Sequence, residues 1–322
     1  MMPPPLFSRL ALIGTGLIGS SIARAARAEN LVGSIVATAR SAQTRKRVME
    51  LGIADQVVES NAAAVEGADL VIICIPVGQS GPAAREIAPQ LAPGAIVSDV
   101  GSVKAQVVRD MAPHLPANVH FVPAHPVAGT EYSGPDAGFA ELFVGRWCIL
   151  TPPENADAAA VKRLSAFWSG VGAKVATMSA EHHDLVLAIT SHVPHLIAYT
   201  IVGTADALSA VTRSEVLQYS AGGFRDFTRI AASDPTMWRD VFLANKAGVL
   251  EMLGRFNRDL AKLTRAIKEE DGDTLFELFT RTRAIRRGII AIGQDSEAPD
   301  FGRPRPALPP APLPRPYASE GE

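Results

Sequence analysis

Arg9-Leu10-Ala11-Leu12-Ile13-Gly14-Thr15-Gly16-Leu17-Ile18-Gly19 decides the fold. A short apolar run ends in glycines at G-x-G-x-x-G spacing, and a helical pattern, Ser20-Ser21-Ile22-Ala23-Arg24-Ala25-Ala26-Arg27-Ala28, follows at once. Strand, glycine turn and helix in this order form the opening of a dinucleotide-binding unit. Gly14 permits the tight turn. Gly16, with the backbone of Leu17 and Ile18, lets N–H groups approach a pyrophosphate, and Gly19 allows the helix to pack closely on the strand. The positive end of the helix dipole then faces the phosphates.

Outward from this stretch, short β-branched runs alternate with amphipathic ones as far as Met178: SIVATA, DLVIICI, AIVSDV, VHFVP, RWCILTP and AKVATM are separated by helical patterns such as AQTRKRVMELG and AAREIAPQL. The alternation predicts an α/β domain with a doubly wound, Rossmann-like sheet over residues 1–178. Strand signals stop after Ser179, and residues 179–295 read as an all-helical domain. Its helices are long and apolar for their number, so part of their surface calls for a second copy of the chain, and a homodimer is expected. Residues 296–322 hold eight of the 24 prolines and little periodicity, as in RPRPALPPAPLPRPY, and read as a disordered, extended tail.

The composition excludes several classes of function. With 47% hydrophobic and 20% charged residues the chain of 322 is an ordinary globular sequence. A net charge of −2 provides no basic field for nucleic acid. The longest unbroken apolar run, Leu70 to Val77, falls far short of the ~20 residues that span a bilayer, so no membrane partner is expected. Glycines interrupt the first apolar run, which reads as a strand rather than a signal peptide. Cys74 and Cys148 both lie in apolar runs, as reduced packing thiols do in the cytoplasm.

The end of the second strand bears on the cofactor. An NAD enzyme places an acidic residue there to hold the ribose 2′-hydroxyl. Here Ala39 occupies that place, followed by Arg40, Ser41, Thr44, Arg45 and Lys46. Cations and hydroxyls suit a 2′-phosphate, which favours NADP over NAD. No metal site is expected: the histidine spacings match no standard zinc motif, and His182 and His183 splay apart on a helix.

Four further segments carry chemistry. Ser98-Asp99-Val100-Gly101-Ser102-Val103-Lys104 leaves a strand where open α/β sheets place ligands, and Ser102 can serve the site, cap the following helix, or do both. His125-Pro126-Val127-Ala128-Gly129-Thr130-Glu131 also follows a strand, and a histidine titrating near pH ~6.5 suits a general base toward a hydroxyl. In Ser191-His192-Val193-Pro194-His195 the two histidines share a helix face, while Pro194 either kinks the helix or opens a new first turn. In Gly222-Gly223-Phe224-Arg225-Asp226-Phe227-Thr228-Arg229, the spacing pairs Asp226 with Arg229 and sets a guanidinium for a carboxylate. Trp238 is core packing or pocket wall.

Taken together, GTGLIGSS, SDVGSVK, HPVAGTEYSG, HHDLVLAITSHVPH and GGFRDFTRIAASDPTMWRDVFLANK resemble the prephenate and arogenate dehydrogenases of tyrosine biosynthesis, from about Leu10 to Ile292. The resemblance implies a helical dimerisation domain and oxidative decarboxylation of prephenate or arogenate. It implies that His125 accepts the 4-hydroxyl proton beside Ser102, that His195 contacts substrate with His192 supporting it, and that Arg229 binds a substrate carboxylate. Glu131 and Asp226 would belong to an ionic network at the entrance. Two other readings are a 3-hydroxyacid or imine reductase of similar architecture and a nucleotide-sensing module without turnover; neither explains HPVAG together with SHVPH.

Overall fold

The computed structural model describes residues 4–130, 132–207 and 219–291. Glu131 and the proline-rich segment 296–322 lie outside the described residues. Strand β1 (Phe7–Ile13) runs into the glycine turn and helix α1 (Leu17–Ala28). The chain continues through β2 (Val32–Thr38), α2 (Ala42–Glu50), β3 (Gln56–Val58), α3 (Asn61–Val65), β4 (Leu70–Ile73), α4 (Ser80–Ile87), β5 (Ile96–Asp99), α5 (Ala105–Met111) and β6 (His120–Phe121). These six strands form one parallel sheet in the order β3-β2-β1-β4-β5-β6. That is the strand order of a doubly wound dinucleotide-binding fold, with the switch in direction between β1 and β4.

Both faces of the sheet are covered, and β1 shows it residue by residue. Leu10 and Leu12 enter one core with Ile22, Ile35, Leu70, Ile72 and Trp168, while Ala11 and Ile13 enter the other with Val71, Ile73, Ala84, Ile87 and Met111. Alternate side chains of a strand point to opposite faces, so a strand buried on both sides must be apolar throughout. The continuous run LALI meets that demand.

The segment VHFVPA does not remain one strand. Val122 N–H still donates to Val97 in the first sheet, whereas the Pro123 carbonyl already accepts from Thr151 N–H. Pro123 has no N–H with which to extend the ladder, and the chain changes partner there. The following β7 (Ala124–Pro126) joins β8 (Trp147–Leu150) and β9 (Lys174–Thr177) in a separate three-stranded sheet, antiparallel at β7–β8. Helix α6 (Ala158–Gly170) lies between β8 and β9 in sequence and supplies Phe167 and Trp168 to the core.

The remainder is helical: α7 (Ala180–Leu187), a π turn (Ala188–His192), α8 (Val193–Ala207), α9 (Gly222–Thr228), α10 (Pro235–Ala244), α11 (Lys246–Lys268) and α12 (Gly272–Ala291). The chain groups into two compact units, Met1–Arg255 and Phe256–Glu322, so the first takes in helices α7 to α10 with the sheets. Ala180–Ala207 forms a single 28-residue helical run, by length and composition enough to cross a membrane. It nonetheless carries buried His183, Asp184 and His192.

Trp168 is fully buried and meets Phe143 and Phe167 edge to face at 5.4 and 5.8 Å between centroids. Trp168→Ala should cost ~3–5 kcal/mol of unfolding free energy, read from the urea midpoint at constant slope. An unchanged midpoint would remove Trp168 from the folding core.

Candidate active site

The nucleotide turn is shaped by what cannot fit. Gly14 has φ +94°, and a Cβ there would stand 2.6 Å from the Cys74 carbonyl oxygen. A Cβ on Gly19 would collide with the Gly14 carbonyl, whereas Gly16, the N-cap of α1, faces space with nothing within 4 Å. Two glycines therefore close the turn and the third leaves room above the free N–H groups of α1, as a bound pyrophosphate requires. The turn fits a dinucleotide.

At the end of β2, Ser41 caps α2, its hydroxyl accepting from Thr44 N–H at 3.0 Å. Arg45 is drawn inward: it donates to the carbonyls of Ala39 (3.0 Å) and Arg40 (3.1 Å) and pairs with Glu59 at 2.9 Å. It braces the loop, while Arg40 is exposed at the strand end.

The SDVGSVK turn is organised by buried charge. The Asp99 carboxylate accepts from Gly101 N–H at 2.7 Å, from Ala124 N–H at 3.3 Å and from the Lys104 ammonium. Lys104 is fully buried and also donates to the Ala124 carbonyl at 2.7 Å. Burial lowers its pKa and the Asp99 charge opposes that. The pair thus ties the turn after β5 to β7, one residue before His125. Ser102 does not cap α5. Lys104 is the N-cap, and Asp184 of α7 accepts from the N–H groups of Lys104 (2.7 Å) and Ala105 (3.0 Å). A carboxylate eighty residues from Lys104 in sequence takes the capping role, one of the two open to Ser102.

His125 Nδ1 lies 2.8 Å from His183 Nε2, and His183 Nδ1 lies 2.9 Å from Asp184 Oδ1. His125 Nε2 has no hydrogen-bond partner among the described residues. Burial, then His183, Lys104 and His192, hold the His125 imidazole well below its ordinary pKa, and burial also lowers His183. His192 is pushed down to about 4, chiefly by burial. Its Nδ1 accepts from Asn245 Nδ2 at 3.1 Å, and the same amide donates to the Asp184 carbonyl at 2.7 Å.

His195 donates from Nδ1 to the Ser191 carbonyl at 2.8 Å and stacks on Trp238, with centroids 3.6 Å apart and planes at 23°. Trp238 packs with Val103 and Val241 and also touches the His192 ring edge, so it is both core and wall. His195 is lowered by burial, and further by the nearby positive charge of Arg229. Pro194 stands at the start of α8, directly after the π turn. The wider turn absorbs the N–H that proline lacks, which is how π turns often mark functional sites.

The structure therefore gathers His125, His192, His195, Ser102 and Arg229 around α7, α8 and the β5 and β7 ends. Among the described residues Asp226 and Arg229 do not pair: Asp226, inside α9, is exposed, and Arg229 begins the 3₁₀ turn that follows. Asp99, Lys104, His183, Asp184 and Asn245, which residue spacing does not single out, are bonded around the backbone and rings of His125 and His192. The available signal was position: His183 stands four residues before Leu187, on the buried face of α7.

A glycine-closed phosphate turn in a doubly wound sheet, with a buried imidazole on the same chain, is what an NAD(P)-dependent oxidoreductase requires. Residues 22–177 match the family model described as prephenate dehydrogenase, nucleotide-binding domain, and residues 179–281 match prephenate dehydrogenase, dimerization domain. The cyclohexadienyl dehydrogenase of Zymomonas mobilis is 43% identical over 284 residues, 88% of this chain and 97% of that protein. The prephenate dehydrogenase of Bacillus subtilis is 35% identical over 91% of this chain and 78% of its own length. Among solved structures, Aquifex aeolicus prephenate dehydrogenase in complex with hydroxyphenyl propionate and NAD+ superposes with a TM-score of 0.82 at 34% identity, covering 88% of this chain and 98% of that one. The chain belongs to the prephenate dehydrogenase family.

Three buried imidazoles with depressed pKa values make stability depend on pH. In the unfolded chain they take up protons below about pH 6.5, whereas His192 in the folded protein does so only near 4. Their contribution is complete above pH 6.5 and is lost as pH falls toward 4. The urea midpoint should therefore drop between about pH 7 and about pH 5. His192→Phe should lessen the drop; an identical drop in that variant would contradict the assignment.

Proposed function

We propose that this protein is a cyclohexadienyl dehydrogenase that oxidatively decarboxylates prephenate to 4-hydroxyphenylpyruvate, arogenate to tyrosine, or both. The observation that carries the reading is His125, a buried imidazole that burial keeps neutral, on β7 one residue past the Asp99–Lys104 pair that ties the turn after β5 to that strand. When bound, the oxidised nicotinamide accepts a hydride from the ring carbon that bears the hydroxyl.

His125 Nε2 takes the hydroxyl proton as that carbon becomes a carbonyl. The ring carboxylate then leaves as carbon dioxide, its electron pair enters the ring, and His125 returns the proton to the phenolate oxygen. Ser102 assists at the same hydroxyl. Arg229, near His195, binds a substrate carboxylate, and the stacked His195 and Trp238 wall the ring. Burial around them strengthens each polar contact.

His125→Asn should reduce turnover by ~10²–10⁴ with little change in substrate KM. In the native enzyme kcat/KM should be flat above pH 6.5 and fall on the acid side, because burial holds the His125 pKa well below 6.5 and the base must be unprotonated. An acid limb centred above 6.5, or near-normal turnover in the variant, would remove His125 from the reaction. Initial rates at the reduced-nicotinamide absorbance, with prephenate and arogenate each paired with NAD and NADP, test the substrate reading; no rate in any combination would end it.

NADP is the favoured cofactor. Arg40 is exposed at the β2 end, next to Ser41, whose hydroxyl caps α2. Arg40→Ala should raise the KM for NADP by roughly tenfold or more, the weight of a charge-assisted contact, and leave that for NAD unchanged. Equal effects on both would favour a general loop role.

The active form is a homodimer made through the helical region. Leu260 and Ile267 of α11 and Phe276, Phe279, Ile285 and Ile289 of α12 are 40–72% exposed, apolar surface that water disfavours. The match of residues 179–281 to a dimerization domain supports the same reading. Phe276→Asp with Phe279→Asp should halve the mass in light scattering; an unchanged mass would contradict it. Cys74 and Cys148 are free thiols, in keeping with a cytoplasmic enzyme.

A further inference from the structure

The contacts behind His125 fix where its hydrogen sits. The Asp184 carboxylate can only accept, and it already receives the N–H groups of Lys104 and Ala105. The 2.9 Å contact to Asp184 Oδ1 therefore requires the hydrogen to be on His183 Nδ1. A neutral imidazole carries one N–H, so His183 Nε2 presents a lone pair. His125 Nδ1, 2.8 Å away, must then be the donor, and the lone pair of His125 falls on Nε2. The opposite proton order would set a nitrogen lone pair against a carboxylate oxygen inside the core, where nothing screens the repulsion. The direction of the chain is thus imposed from Asp184 outward.

We propose that His183 and Asp184 are positioning residues that hold His125 in the Nδ1–H tautomer, with Nε2 as the proton acceptor. The proposal rests on the reading of His125 as the base. After His125 takes a proton at Nε2, its Nδ1–H still donates to His183, and the Asp184 charge stabilises the imidazolium through that ring. The other groups facing His125 are Lys104, from the turn before α5 and paired with Asp99, and His192 from the π turn. Neither accepts a hydrogen bond from His125 Nδ1 in place of His183. His183 and Asp184 leave substrate to His125, Ser102, His195 and Arg229.

Two measurements test the proposal. Two-bond nitrogen–hydrogen correlation spectra of the histidine-labelled native protein near neutral pH should show His125 and His183 both as Nδ1–H tautomers, each assigned by the loss of its signal in a substitution variant. An Nε2–H signal for His125 overturns the proposal. In kinetics, His183→Leu removes the acceptor and should lower kcat roughly 10- to 100-fold, within the range of general-base catalysis, without raising substrate KM. His183→Gln, whose amide oxygen can accept from His125 while its NH₂ donates to Asp184, should recover most of the loss. Equal impairment of the two variants, or full activity in both, overturns the positioning role. If His183→Leu fails to fold, the native spectrum still decides. Full activity in His183→Leu beside an inactive His125→Asn sinks the relay and leaves the base intact; absence of turnover with any cyclohexadienyl substrate sinks the function and leaves the tautomer measurement standing.

Discussion

The buried carboxylate of Asp184 is the constraint on which the site depends. It receives the first N–H groups of α5 and a ring nitrogen of His183, and its backbone carbonyl accepts from Asn245, so α5, α7 and the α10–α11 junction meet at one residue. An isolated carboxylate would be strongly disfavoured there. The unpaired N–H groups at a helix start are the partners that make it tolerable, since their partial positive charge compensates the anion. The same contacts that satisfy the charge also dock the helical region against the turn after β5.

A second buried pair, Asp99 with Lys104, does the corresponding work on the sheet side. Its carboxylate and ammonium hold both the N–H and the carbonyl of Ala124, the residue before His125. Such a pair adds little net stability, yet losing one partner strands a charge in the core. Its value lies in placement. Pro123 releases the chain from the parallel sheet, and the ion pair fixes where the released strand goes. The His125 imidazole therefore sits on backbone held by charge rather than by a continuous ladder.

Much of this was legible in the residues. The run RLALI with its three glycines announced strand, turn and helix, because each glycine has a steric reason that survives in the structure: no space at Gly14 and Gly19, open space at Gly16. Strand ends and helix spacing pointed to His125, His192 and His195, and the structure places these three imidazoles near one another. What escaped was long-range. Nothing local tells that Ser102 leaves the α5 cap to a carboxylate eighty residues from Lys104, that Arg45 turns back onto Ala39 and Arg40, or that Arg229 and Asp226 do not pair. The three-residue β3 was too short to announce itself, and VHFVPA hid a change of sheet at a proline. Local periodicity reports which face is buried; it does not report which distant group satisfies a buried charge.

The substrate chemistry couples loss of hydride to loss of carbon dioxide through a single aromatisation, and that coupling separates this reaction from simple alcohol oxidation on a similar fold. The most direct measurement is the stoichiometry of a complete turnover, with reduced nicotinamide followed by absorbance and carbon dioxide trapped from the same sample. Equimolar reduced cofactor, carbon dioxide and phenolic product are predicted. Reduced cofactor formed without carbon dioxide, or no reduction with either prephenate or arogenate, would contradict the account.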